Sequence, residues 1–134
     1  MTVEISDTFN DAVLAARNTA MAGGTFNFYS DAGRTTLLLA IALHASAPLT
    51  DEGTANTYQV NRDSGVFTGY QPSPTATGTA VAFDYKSSAS AVLISGTVSD
   101  LAGAGDVKIP TVSFVTGTPL PAETWGSEPT IEFP

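Results

Sequence analysis

The sequence predicts an all-β fold, an antiparallel β-sandwich or small barrel with one N-terminal α-helix and an extended C-terminal arm. Three features of the chain carry that expectation. Short alternating runs rich in threonine, valine and aromatic residues recur between turn residues, the pattern of half-buried strands. A single segment near the start has helical spacing. The last stretch, Gly117 to Pro134, holds Pro119, Pro121, Pro129 and Pro134 and so can neither extend a helix nor supply a central strand.

The helix is predicted from about Asp7 to Ala22. Ser6 or Asp7 supplies a capping oxygen, Asp7 and Asp11 suit the positive end of the helix dipole, and Gly23-Gly24 stops it. Phe9, Ala12, Val13, Ala16 and Ala20 fall at helical spacing and are read as its narrow apolar face, shaped for close packing on a sheet or a neighbouring subunit. Next, Thr25 to Ser30 alternates with Phe26 and Phe28 on one side, before the turn Asp31-Ala32-Gly33. Thr36 to Leu43 is a continuous apolar run, a strand buried on both sides or facing a subunit. Ala45 to Thr54 reads as loop, Asn56 to Asn61 as a weaker strand, and Asp63-Ser64-Gly65 as a turn before Val66-Phe67.

The clearest hairpin follows. Thr79 to Tyr85 alternates, with Val81, Phe83 and Tyr85 expected on one face; Ser87 to Ser90 turns the chain and Val92 to Val98 returns. A loop from Ala102 to Asp106 leads to Val107-Lys108-Ile109, and Val112 to Thr116 is the last strand expected before the arm. The chain thus divides into a domain over residues 1–116 and a proline-rich arm over 117–134.

Composition limits the function. A chain of 134 residues is one domain by the usual size rule, yet only 31 of them are Leu, Ile, Val or Phe, so the core must be lean and filled out by alanine. Five basic residues, Arg17, Arg34, Arg62, Lys86 and Lys108, stand singly against 13 acidic ones for a net charge of -8. Binding nucleic acid or an anionic membrane needs clustered positive charge, and neither is expected here. Without cysteine there is no disulfide, thiolate metal site or cysteine nucleophile, which fits a reducing cytoplasm. The start Met1-Thr2-Val3-Glu4 lacks the basic patch and apolar run of a signal peptide, and Leu37 to Ala42 is too short to span a bilayer. A soluble protein not exported by the general route is expected.

No catalytic, cofactor or metal site is expected. His44 is the sole histidine and no Gly-x-Ser-x-Gly elbow accompanies it, so a Ser-His-Asp mechanism has no base. Asp51-Glu52 and Asp100 with Asp106 are the nearest carboxylate pairs, and aspartate at such positions closes turns. The stretch Ser99 to Asp106 lacks the alternating oxygen ligands and terminal glutamate of an EF-hand loop. Gly103-Ala104-Gly105 opens neither a dinucleotide nor a Walker loop. Aromatics at strand spacing belong to a core rather than to a base-stacking track. What remains is an interaction protein. Phe9, Val13, Leu120, Trp125, Ile131 and Phe133 are the candidate partner-binding residues, with the arm either clasped over its own domain or laid on a neighbour.

The order of segments carries a resemblance. Ala15-Ala16-Arg17-Asn18 precedes Gly24-Thr25-Phe26-Asn27-Phe28-Tyr29, then Thr36-Leu37-Leu38-Leu39-Ala40, Gly78-Thr79-Ala80-Val81-Ala82-Phe83-Asp84-Tyr85, Val92-Leu93-Ile94-Ser95-Gly96-Thr97-Val98 and Val112-Ser113-Phe114. Over about Ser6 to Thr116 this resembles a family of small Ala/Thr/Gly-rich virion structural proteins of tailed bacteriophages. The aromatic pair is reduced here to Phe83 and Tyr85, and the tail after Thr116 is longer than in the family. The resemblance implies a capsid decoration (cement) protein on the outer shell, binding the major capsid protein and copies of itself, a trimer being one option. A tail, neck or fibre-associated module is the alternative it allows. Removal of Gly117 to Pro134 is then expected to weaken assembly without unfolding the domain.

Overall fold

The computed structural model describes residues 6–53, 57–126 and 128–133. Asn56 and Pro134, expected in a strand and in the arm, and the side chain of Asp7 lie outside what is described. The fold is mainly β with one helix, its sheets curled into a half-barrel.

Helix α1 spans Asp7–Met21. Ser6 caps it, its Oγ accepting the Phe9 N–H at 3.2 Å, and the chain leaves through Gly23 at φ +67°. Gly24 is then fixed by a close approach, because a Cβ there would fall on the Lys86 carbonyl oxygen. Strands β1 (Thr25–Tyr29), β2 (Leu37–Ala42), β3 (Leu49–Asp51), β4 (Thr57–Val60), β5 (Gly78–Thr79), β6 (Ala82–Lys86), β7 (Val92–Ser99), β8 (Val107–Lys108), β9 (Ser113–Phe114) and β10 (Thr130–Glu132) follow, with a 3-10 turn at Ala122–Trp125. They form a five-stranded sheet β2-β1-β6-β7-β8, a three-stranded sheet β10-β4-β3 and the pair β5-β9. Beyond β2 and β4 the chains pair again: Leu43 bridges Arg62, His44 N–H donates to the Asn61 carbonyl at 3.0 Å, and Asp63 N–H donates to the Ala42 carbonyl at 2.9 Å. The two larger sheets are therefore joined along one side.

The core fills the curl. Phe26 stacks on Tyr85 with centroids 4.3 Å apart, and Phe83 meets Phe26 edge-on at 5.9 Å. Trp125 stands 4.9 Å from Phe67 and 6.2 Å from Phe28, at the centre of this cluster.

Several expectations are corrected. The helix face that packs is not Phe9, Ala12, Ala16 and Ala20, all of which are exposed, with Val13 half-buried. Instead Leu14 and Met21 contact the core, and Asn18 is locked to β3, its Nδ2 donating to the Leu49 carbonyl at 3.1 Å and its Oδ1 accepting the Leu49 N–H at 2.8 Å. Both faces have helical spacing, and partners rather than period choose between them. The expected loop Ala45 to Thr54 holds β3, because Pro48 and Gly53 mark turns while Leu49–Asp51 between them find β4 as a partner. The apolar run Thr36 to Leu43 gives an edge strand that buries Leu38, Leu39 and Ile41 and leaves Leu37, Ala40 and Ala42 exposed.

The alternation Thr79 to Tyr85 breaks between β5 and β6 as the chain passes from β9 to β1, so Val81 faces outward while Phe83 and Tyr85 face the core. The strand expected over Val112 to Thr116 shrinks to Ser113–Phe114, and a further strand, β10, lies in the arm. The pairing is not wholly antiparallel either, since β7 and β8 run parallel with Val98 opposite Val107 and Ser99 opposite Lys108. The short connection is drawn tight by Asp100, whose Oδ1 accepts the Ala102 and Gly103 N–H groups, and by Asp106, whose Oδ2 accepts the Thr97 N–H and hydroxyl at 2.9 and 3.0 Å.

Candidate functional site

The six candidate partner residues separate into two groups. Leu120 and Trp125 are each only 3% exposed and belong to the domain's own core. Ile131 and Phe133 are half-buried and pack against that core, Phe133 meeting the Tyr58 ring edge-on at 5.7 Å. The Arg17 guanidinium lies 3.7 Å over the Phe133 ring, so α1 clamps the end of the arm. Of the two readings of the arm, this structure holds the intramolecular clasp. Its removal would strip the core rather than an appendage. Phe9, by contrast, is 60% exposed at the start of a helix face that nothing among the described residues covers.

Glu128 fixes the middle of the clasp, and sequence reasoning passed over it because a lone glutamate among prolines carries no local signal. Its carboxylate accepts the Phe67 N–H at 2.8 Å, the Thr68 N–H at 2.8 Å and the Thr68 hydroxyl at 2.6 Å. Partial burial raises its pKa, but these hydrogen bonds and the nearby Arg62 together outweigh burial and hold it below the ordinary 4.5.

Where the curl stays open, the outer edges of β8 and β10 border two adjoining clefts of about 450 and 440 Å³. Both are lined by Tyr85, Asp106, Val107 and Thr130. Burial pushes the Tyr85 phenol far above its ordinary value, so it stays protonated at any physiological pH. Thr124 and Trp125 stand in the wall of the larger cleft, and the Thr124 hydroxyl and Trp125 indole N–H are buried with no partner among the described residues. Such orphaned groups are uncommon in native folds and call for an explanation.

On the opposite face of the large sheet, Asp84 is 1% exposed and its Oδ1 accepts from Asn27 Nδ2 at 2.9 Å and the Tyr29 hydroxyl at 3.1 Å. Arg34, held at φ +57°, donates to the Phe83 and Gly96 carbonyls at 3.1 Å each. These groups brace the sheet, while Asp84 Oδ2 is buried with no partner among the described residues. The histidine and aspartates weighed above also serve the backbone. His44 Nδ1 accepts the Ala47 N–H at 2.9 Å and Asp51 Oδ1 accepts the Gly53 N–H at 2.8 Å. Among the described residues, no three histidines or carboxylates stand together so as to hold a metal ion, and no helix is long and apolar enough to cross a membrane.

No family model, curated protein or solved structure matches this chain.

Proposed function

We propose that the protein is a structural component of a tailed-bacteriophage virion, specifically a capsid decoration (cement) protein. It acts without catalysis by binding the outer shell, its partners being the major capsid protein and copies of itself. Nucleic acid and membrane are not among its partners. The observation that carries the reading is the outward face of α1. Phe9 stands 60% exposed above Ala12 and Ala16, small residues that let a second surface approach closely. Burying a phenylalanine side chain contributes about 1.5–3 kcal/mol, which is repeated at every copy around a shell. The order of segments, which resembles that of small virion proteins, supports the reading, and the net charge of -8 is consistent with a protein kept off the packaged genome.

Copy number per purified particle, measured by quantitative mass spectrometry against the major capsid protein, tests the assignment. A ratio near that of the shell protein supports decoration. A few rings' worth of copies moves the protein to the neck or tail, and absence from particles sinks both placements.

A further inference from the structure

We infer that the seam between β8 and β10 is a strand-addition site for an extended, lysine- or arginine-bearing segment of a partner chain. The wall of the half-barrel runs β8-β7-β6-β1-β2, crosses to β4 through the Leu43–Arg62 bridge, and ends at β10. Among the described residues, its two terminal strands thus present free edges to the same opening.

Hydrogen-bond direction fixes which groups are free. Ile109 N–H donates to the Ser99 carbonyl at 3.0 Å, with Ser99 opposite Lys108 in a parallel ladder. Backbone amides alternate in direction along a strand, so the Lys108 N–H and carbonyl point away from β7. On the other side Val60 N–H donates to the Pro129 carbonyl at 2.9 Å, and the antiparallel register sets Ile131 opposite Tyr58. Ile131 therefore bonds toward β4, while the N–H and carbonyl groups of Thr130 and Glu132 point outward. Lys108 and Thr130 line the larger cleft, and Thr130 and Glu132 line the smaller. One inserted strand would bond to both edges and close the wall, as strand addition does elsewhere.

Charge selects the occupant. The clefts are lined by Asp106, Glu123, Glu128 and Glu132 against a single cation, Lys108. An acidic strand is repelled there and a basic one attracted. The site follows from the fold and is independent of where the protein resides.

The test uses the whole protein and a short capped peptide of alternating lysine and valine, followed by amide hydrogen exchange. At up to about 1 mM peptide, exchange at Lys108, Thr130 and Glu132 is expected to slow by about tenfold or more. The same peptide N-methylated at alternate residues cannot complete one ladder and is expected not to bind. A glutamate-valine peptide should bind at least about tenfold more weakly. Lys108→Pro and Thr130→Pro each delete one outward N–H while sparing the ladder to β7 or β4, and each should weaken binding by about tenfold. Protection at the Phe26 amide reports whether these variants fold, and the N-methylated peptide tests the ladder on the unaltered protein. Unslowed exchange at the three amides overturns the inference, as does equal binding of the N-methylated or the acidic peptide. Protection of those amides in the free protein that rises with its concentration would give the seam to a second copy and overturn it equally.

Discussion

At the scale of single residues, Trp125 and Phe9 make a contrast that stability measurements can check. Trp125 is wedged among Phe26, Phe28 and Phe67, so Trp125→Ala leaves a cavity and is expected to cost about 3–5 kcal/mol in urea unfolding. Phe9 is largely in water, so Phe9→Ser is expected to change stability by about 0.5 kcal/mol or less while weakening particle binding. Glu128 adds a pH dependence. Folding lowers its pKa below 4.5, so its contribution is fully present above that value and is lost as the pH falls through the lower folded value. Stability of the native sequence should therefore fall more steeply below about pH 4.5 than that of Glu128→Gln. Asp31 and Asp106 are lowered by hydrogen bonds from the Thr36, Thr35 and Thr97 groups and act in the same direction in both proteins. Equal slopes would show that the clasp does not depend on the Glu128 charge.

At the scale of elements, α1 is held at few points. Asn18 imitates a strand backbone toward Leu49, Met21 enters the core, and Arg17 covers Phe133. Asn18→Ala would leave both Leu49 backbone groups without their partner and is expected to cost about 1–3 kcal/mol, with faster exchange at the Leu49 amide as the local readout. The β6–β7 pair depends on a missing side chain. A Cβ at Gly96 would stand 2.7 Å from both the Phe83 ring and Asp106 Oδ2. Gly96→Ala forces the ring or the carboxylate to move, and a loss of about 1–3 kcal/mol is expected in thermal or urea unfolding.

At the scale of the whole molecule, domain and arm share one core. Residues 117–126 and 128–133 supply Leu120 and Trp125 to the core and β10 to the second sheet. Deleting residues 117–134 is expected to abolish the cooperative unfolding transition and to expose dye-binding apolar surface, the behaviour of a chain without fixed packing. A truncated protein with a sharp melt would restore the arm to the status of an appendage. Among the described residues no strand lies between β8 and β10, so the curl stays open where Asp106, Glu123, Glu128 and Glu132 gather.

The sequence by itself determined the elements whose signals are local. Ser6 and the glycine pair bound α1, and the alternation around Phe26 and Phe28 marks β1. Ser87 to Ser90 turns the β6–β7 hairpin, with Ser90 at φ +65°. The absence of cysteine likewise needed no structure to set aside a disulfide, a thiolate metal site and a cysteine nucleophile in this chain. Tertiary structure alone decided what depends on a distant partner. It chose which face of α1 packs, since Leu14 and Met21 have the same period as Phe9 and Ala16. It made a strand of Leu49–Asp51, which is too short to announce itself before β4 lies beside it. It also turned the arm inward: Trp125 is an equally good anchor for a partner or for its own core, and only the space among Phe26, Phe28 and Phe67 settled that choice. The seam was illegible for the same reason, because a free strand edge is defined by which neighbours are missing, and no residue encodes an absence locally.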